Sequence, residues 1–145
     1  MTTSEMIGLE VPQATSADYR QALLTIRDLR TTSHTVWTLW VGLLTAHYGM
    51  PGHVATAAQL ATTTRLKSPG TANLSYGKLA HAVADQLGHC PPKRETGKRD
   101  PRWWMTLAAG SQGDEKDEDF QFTMHPELAA ALEVMRWVRP QTTQA

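Results

Sequence analysis

The chain has a single cysteine, Cys90, no long apolar run and no net charge. One cysteine excludes an internal disulfide and the zinc patterns that need paired cysteines, so a free thiol in a reducing cytoplasm is expected. An apolar run of about 18 residues, which a transmembrane helix needs, is missing from the sequence. The first residues lack a basic segment followed by an apolar block, so no signal peptide is expected. The expected class is a cytoplasmic protein without membrane contact.

Motifs that carry catalysis or bind cofactors are also missing. The histidines form no His-Glu-x-x-His pair, and the glycines form neither a nucleophile elbow nor a phosphate-cradling loop. His53 and His125 stand at predicted element starts, where capping accounts for them, and His47 is expected to be packed. We therefore expect no enzyme activity, no cofactor and no metal site. A hydrolase or nuclease without a recognisable motif is the enzymatic alternative.

Length and charge limit the remaining classes. The 145 residues suffice for one domain with its own core, predicted over residues 17–138 between a flexible arm over 1–16 and a flexible tail over 139–145. The chain has 14 Lys or Arg and 14 Asp or Glu, whereas free-standing nucleic-acid binders are usually basic. DNA binding therefore requires the basic residues to gather on one face.

The segment from Val54 to Leu87 has the layout of a helix-turn-helix. Thr56–Gln59 is a Thr-x-x-Gln capping box that opens a short helix, and Lys67–Gly70 ends that helix. A longer helix is predicted from about Thr71 to Leu87, with its apolar residues on one side. Gly77 in its middle is expected to mark close packing or close backbone approach, because glycine weakens a helix.

Helices and strands are predicted on both sides of this segment. Ser16 is the expected N-cap of a first helix, and Thr31–Ser33 cap a second one, which is apolar around most of its circumference and therefore expected at the centre. Trp103–Leu107 and Phe120–Met124 alternate like strands, and Pro126 opens a closing helix. The predicted fold class is mainly α with a small β-hairpin: a winged helix-turn-helix-like single domain with an extra N-terminal helix.

The second helix of the pair is the expected recognition helix, whose N-terminal residues face bases in the major groove. Here those residues are Thr71, Asn73, Leu74, Ser75 and Lys78. Asn binds adenine edges, Ser is a general hydrogen-bonding group, and Lys binds phosphate or guanine. A basic, proline-rich loop follows and can bind the phosphate backbone if it flanks this helix. The predicted interface with double-stranded DNA comprises Thr71, Asn73, Ser75, Lys78, His81, Lys93, Arg94, Lys98 and Arg99. The alternative is a solvated helix face followed by a solvated loop.

The loop from Gly110 to Asp119 is acidic and would be repelled by a duplex. It points away from nucleic acid, mimics phosphate toward a basic protein partner, or keeps the hairpin soluble. The second hypothesis is therefore a protein-interaction module, for example a phage anti-defence inhibitor that binds a nucleic-acid-handling complex. Its predicted contact residues are Asp114, Glu115, Asp117, Glu118 and Asp119.

Two of these segments also resemble a known type of domain. The first pattern is Asn-Leu-x-Tyr-Gly-x-Leu, which covers Asn73–Leu79 and is preceded by the helix start Thr56–Ala61. The second is Pro-Glu-Leu-x-x-Ala-Leu, which covers Pro126–Leu132. Both patterns are similar to winged-helix-type domains of uncharacterised bacterial and phage proteins, over roughly Asp18 to Trp137. Because some of those relatives are joined to nuclease domains, the resemblance implies association with nucleic-acid processing. Winged helices often pair through terminal helices, so a homodimer through the helix of Tyr19 or that of Leu128 is expected.

Overall fold

The computed structural model describes residues 6–7, 14–88, 103–111 and 120–139. The helices among them are α1 Ser16–Asp28, α2 His34–Gly49, α3 Ala57–Thr64, α4 Pro69–Leu87 and α5 Pro126–Val134. The strands are β1 Met6–Ile7, β2 Val54–Thr56, β3 Ala108–Ser111 and β4 Gln121–Met124. Short 3-10 helices cover Pro51–His53 and Trp103–Thr106.

The strands form an antiparallel sheet in the order β1-β3-β4-β2. β2 pairs with β4, so that Ala55 lies opposite Phe122, and β3 pairs with β4 as a hairpin. β1 pairs with β3 from within the segment that the sequence predicts to be a flexible arm. The succession α2-β2-α3-α4-β3-β4, with β4 between β2 and β3, is that of a winged helix-turn-helix. The predicted fold class is therefore confirmed, with α1 as the extra N-terminal helix.

Side-chain caps determine where the first helices begin. Thr56 and Gln59 form the predicted capping box of α3, with oxygen-to-nitrogen distances of 2.9 and 3.1 Å. The N-cap of α1 is Thr15 rather than Ser16. Thr15 accepts from the amide of Asp18, and the Asp18 carboxylate accepts from the amide of Thr15. This reciprocal pair satisfies two donors that a helix start leaves open.

The predicted recognition helix, α4, begins at Pro69 rather than at Thr71. Ser68 is its N-cap and accepts from the amide of Thr71 at 3.2 Å. Proline fits the first turn because a backbone donor at that position has no partner within the helix. α3 ends because Arg65 adopts a left-handed conformation with φ 61°. The turn of the helix-turn-helix is therefore the short stretch from Arg65 to Ser68.

The main core lies where α1 packs against α4 and α5. The hydroxyl of Tyr19 donates to the carbonyl oxygen of Thr106 at 2.6 Å. The amide of Ser16 donates to the Glu127 carboxylate at 2.8 Å and joins the starts of α1 and α5. The largest fully buried side chains belong to Tyr19, Leu23, Ile26, Leu43, Leu44, Leu60, Tyr76, Leu79, Leu107, Phe122, Met124 and Leu128.

α2 is not the central helix that its apolar sequence predicts. Its buried residues, all in the C-terminal half, are Leu43, Leu44, His47 and Tyr48. Val36 is 38% exposed, and Trp37 and Trp40 are only half-buried. The reason is that α1, α4 and α5 occupy the centre, whereas α2 meets α3, α4 and β2 from one side.

Residues Trp103–Thr106 form a 3-10 helix instead of the predicted strand, and β3 begins at Ala108. The alternating pattern does not indicate a strand here, because residues at both even and odd positions are buried. Trp104 is 5% exposed, and Leu107 is fully buried. A hydrogen bond of 2.9 Å from the amide of Leu107 to the carbonyl of Trp104 closes the turn. Gly110, predicted to start the loop, lies inside β3.

A separate aromatic cluster of Trp104, Phe120 and Phe122 packs over Gly110. Its ring centroids are 5.1 to 5.5 Å apart in edge-to-face arrangements. A Cβ atom at Gly110 would lie 2.5 Å from the Trp104 ring and 2.6 Å from the Phe120 ring. Gly77 differs, because a Cβ there meets nothing within 4 Å. Of the two explanations predicted for Gly77, close packing is therefore not found among the described residues, and close backbone approach stays a prediction.

Replacing Gly110 by alanine should lower the free energy of unfolding by about 1–3 kcal/mol, since two buried, rigid rings must move. Gly77→Ala is the matched control and should raise stability by up to about 1 kcal/mol, because alanine favours the helix and has room there. Urea denaturation of the three proteins measures both changes. Equal stability of Gly110→Ala and the parent protein would contradict this packing.

Candidate nucleic-acid interface

α4 buries one side in the core and presents the other to solvent. Its buried residues are Ala72, Tyr76, Leu79, Ala80, Val83 and Ala84. The predicted apolar stripe is thereby confirmed except at Leu87, which is half-buried. The exposed residues are Gly70, Leu74, Lys78, His81, Asp85 and Gln86. We call the part of this exposed side from Gly70 to His81, with Thr71 and Ser75 at its margin, the α4 face.

The five predicted contact residues on α4 differ in exposure. Lys78 and His81 are exposed. Thr71, Asn73 and Ser75 are half-buried, and the Thr71 hydroxyl lies 3.1 Å from that of Ser68. Asn73 already has an interaction partner in the protein. Leu74 is 62% exposed, so the structure turns Leu74 further toward solvent than Asn73.

The α4 face lies in a part of the chain without carboxylates. No Asp or Glu occurs between Asp28 and Asp85, a stretch that includes α2, β2, α3 and most of α4. Residues 29–102 contain nine Lys or Arg and three Asp or Glu, whereas the other eleven carboxylates lie in residues 1–28 and 103–145. The zero net charge therefore results from separation of charges along the chain. A count of charges by segment reveals this from the sequence alone.

Trp103 extends the α4 face beyond the helix. Its ring stacks on that of His81, with centroids 3.8 Å apart and planes inclined by 7°. Nε2 of His81 also lies 3.6 Å from the carboxylate of Asp85, where the carboxylate-free part of the helix ends. Trp103 follows the basic segment 89–102, and Gly88, which precedes that segment, caps α4. The described residues on both sides of the basic segment are thus held at α4.

Two groups of predicted contact residues lie outside the part of the chain that the structure describes. The basic group comprises Lys93, Arg94, Lys98 and Arg99, and the acidic group comprises Asp114, Glu115, Asp117, Glu118 and Asp119. Their proposed contacts stay predictions. The described neighbours of the two groups belong to different elements: α4 and its stacked Trp103 for the basic group, the β3–β4 hairpin for the acidic one.

Buried His47 connects α2, α4 and β4. Its Nε2 lies 2.9 Å from the carbonyl oxygen of Phe122, and its Nδ1 lies 2.5 Å from the hydroxyl of Tyr76. Because a carbonyl only accepts, Nε2 donates to Phe122, and neutral Nδ1 accepts from Tyr76. Burial lowers the pKa of His47 to about 4 and raises the pKa of Tyr76. The predicted packing of His47 is confirmed, and its bond to α4 is an addition.

His53 and His125 do not cap the elements that follow them, which corrects the sequence prediction. His125 is the N-cap residue of α5, but its side chain makes no capping hydrogen bond. Its Nε2 instead donates to the carbonyl of Met105 at 2.7 Å. Nδ1 of His53 lies 2.8 Å from the carbonyl of Tyr48. The bond of His125 is a tertiary contact, whereas His53 binds the last turn of α2, five residues before it.

The helices predicted to form a dimer use their apolar sides inside the domain. Tyr19 and Leu128 are 1% and 0% exposed, because α1 packs against α5. The large apolar side chains that stay exposed at these helices are Leu29 and Val134, at 40% and 61%. A homodimer stays a prediction, and it would need the C-terminal ends of α1 and α5 rather than their buried sides.

No family model, curated protein or solved structure matches the chain. In the ranges that the structure covers, no group of three or more His, Cys, Asp or Glu is placed to hold a metal ion. None of the helices there has both the length and the apolar character needed to cross a bilayer. The function is therefore inferred from the geometry and charge of this chain alone.

Acid should destabilise the domain through His47. Its pKa is about 4 in the fold and 6.5 as the ordinary value, so the unfolded chain binds the proton first. The stabilisation that comes from a neutral, buried His47 is complete above pH 6.5. As the pH falls to about 4 this stabilisation is lost, and the free energy of unfolding decreases by up to about 3 kcal/mol. His47→Gln keeps a donor and an acceptor without titrating, so its stability should depend less on pH over this range. Identical pH profiles for both proteins would contradict a neutral buried His47.

Proposed function

We propose that this protein binds double-stranded DNA as a small winged helix-turn-helix protein, in regulation or as an accessory of nucleic-acid processing. The observation that supports this best is the α4 face, which is solvent-exposed and lies in a stretch without carboxylates. A helix that enters the major groove runs between two rows of phosphates, which repel a carboxylate that faces them. In DNA-binding helix-turn-helix proteins the second helix of the pair enters the major groove, and the position of α4 as that second helix supports the proposal.

The contacts divide into positioning and base recognition. Arg65 and Lys67 lie in the turn before α4 and are exposed, as is Lys78 on the helix. These three cations suit phosphate groups. Thr71, Asn73 and Ser75 supply hydroxyl and amide groups for base edges. The cations of the basic segment, Lys93, Arg94, Lys98 and Arg99, are proposed to bind phosphates next to them.

Lys78→Gln should weaken binding to a mixed-sequence duplex several-fold and lower the slope of log K against log salt by about 1, because one phosphate contact is lost. Arg20→Gln is the matched control, since Arg20 is exposed on α1, outside the carboxylate-free stretch. It removes the same charge and should change neither quantity. Fluorescence anisotropy at several salt concentrations measures both. No binding at micromolar protein in low salt, or equal losses in the two variants, would overturn the DNA proposal.

A protein-interaction module is the second proposal, and the acidic stretch between β3 and β4 favours it. Asp114, Glu115, Asp117, Glu118 and Asp119 stand beside one lysine, Lys116. Such a run can occupy a basic surface that normally holds nucleic acid, as an anti-defence inhibitor would. The same anisotropy titration distinguishes the two proposals, because a protein that imitates nucleic acid has no affinity for a duplex.

A further inference from the structure

Leu74 is the most exposed large apolar residue in the described part of the chain, at 62%. A single exposed leucine is common on protein surfaces, but the position of this one is specific. It stands in the middle of the α4 face, with the hydroxyl groups of Thr71 and Ser75 and the ammonium group of Lys78 on the same helix. The other exposed large apolar residues, Leu29, Val36 and Val134, lie at the end of α1, the start of α2 and the end of α5. Among the described residues, Leu74 is therefore the one large apolar residue of α4 that is classed as exposed.

Glycines precede and follow Leu74 on the same side of α4, so the helix backbone lies close to the surface there. Gly70 lies four residues before it and Gly77 three residues after it, on the same side of the helix. A Cβ at Gly77 would meet nothing within 4 Å, and a Cβ at Gly70 would meet only the Ser68 hydroxyl at 3.7 Å. A glycine within a helix costs about 1 kcal/mol relative to alanine, and packing within the described protein gives no reason for Gly77. The two glycines let another surface approach the backbone while Leu74 projects into it.

A ligand that matches the α4 face offers one apolar group to Leu74 and polar groups around it. The major groove has this composition, because its base edges carry donors and acceptors with a single apolar exception, the C5-methyl group of thymine. A protein partner would instead offer an apolar pocket, and such pockets are matched by clusters of apolar side chains rather than by one. Lys78, one turn after Leu74, adds the positive charge that a duplex attracts.

We infer that Leu74 is a specificity-determining residue that packs against the C5-methyl group of a thymine and gives the protein a preference for a T·A pair at one position. This inference rests on the proposed DNA binding. Contact of a leucine side chain with one methyl group removes roughly the area of one CH₂ group from water, which corresponds to about fourfold in affinity.

The test replaces thymine by uracil, which keeps every hydrogen-bonding group and lacks only the methyl group. A duplex is first selected from a random pool with the parent protein, and each thymine is then replaced singly by deoxyuridine. We expect one replacement to weaken binding of the parent protein about fourfold and to leave Leu74→Ala unaffected. Lys78→Gln is the control, which should bind more weakly but keep the uracil effect. Leu74 is largely exposed, so circular dichroism should show Leu74→Ala to be folded.

The outcomes separate this inference from the proposed function. A duplex that binds equally well with uracil at every position would overturn the inference and leave DNA binding in place. The inference would also be overturned if uracil weakened binding of Leu74→Ala as much as binding of the parent protein. A selection that enriches no thymine-containing sequence would likewise overturn the inference and leave DNA binding in place. Absence of binding to any duplex in the pool would overturn the proposed function itself.

Discussion

The hydrogen bonds of His47, together with the burial of the apolar side of α4, hold this helix in one rotation. The imidazole bonds the Tyr76 hydroxyl on one nitrogen and the carbonyl of Phe122 on the other, so it fixes α4 relative to the central strand β4. Residues two positions apart on a helix differ by about 200° around its axis. Leu74 and Lys78, each two residues from Tyr76, are therefore turned away from the core. The proposed DNA-binding surface depends on this buried bond, because a rotation of α4 would break it.

Charge separation makes DNA binding compatible with a neutral chain. The stretch from Asp28 to Asp85 contains no carboxylate between its ends, while five of the 14 carboxylates occur between Asp114 and Asp119. Electrostatic repulsion between exposed charges fades over about 10 Å in 0.1 M salt. Local charge on the α4 face therefore matters more for docking than the net charge of the molecule. In the chain, the acidic stretch stands between β3 and β4, outside the described residues.

The order of elements and some local features could be predicted from the sequence, whereas contacts between residues distant in the chain could not. The capping box of Thr56 and the buried stripe of α4 depend on residues within a few positions of one another, and both agree with the prediction except at Leu87, which is half-buried. The stack of Trp103 on His81 joins residues far apart in the chain. The 3-10 helix that contains Trp103 has the same alternation of apolar residues as a strand. The greater exposure of Leu74 than of Asn73 depends on the rotation of α4, which the packing of its buried side and the bond between His47 and Tyr76, 29 residues apart, fix together.

Mapping the bound surface residue by residue tests the central claim most directly. The backbone amide resonances of the protein can be followed by NMR as a short mixed-sequence duplex is added at low salt. The account predicts that the shifts concentrate in the turn before α4 and along the α4 face, and that α5 and the exposed start of α2 are unaffected. Shifts confined to α2, α5 or the β3–β4 hairpin, or no shifts at all, would contradict it.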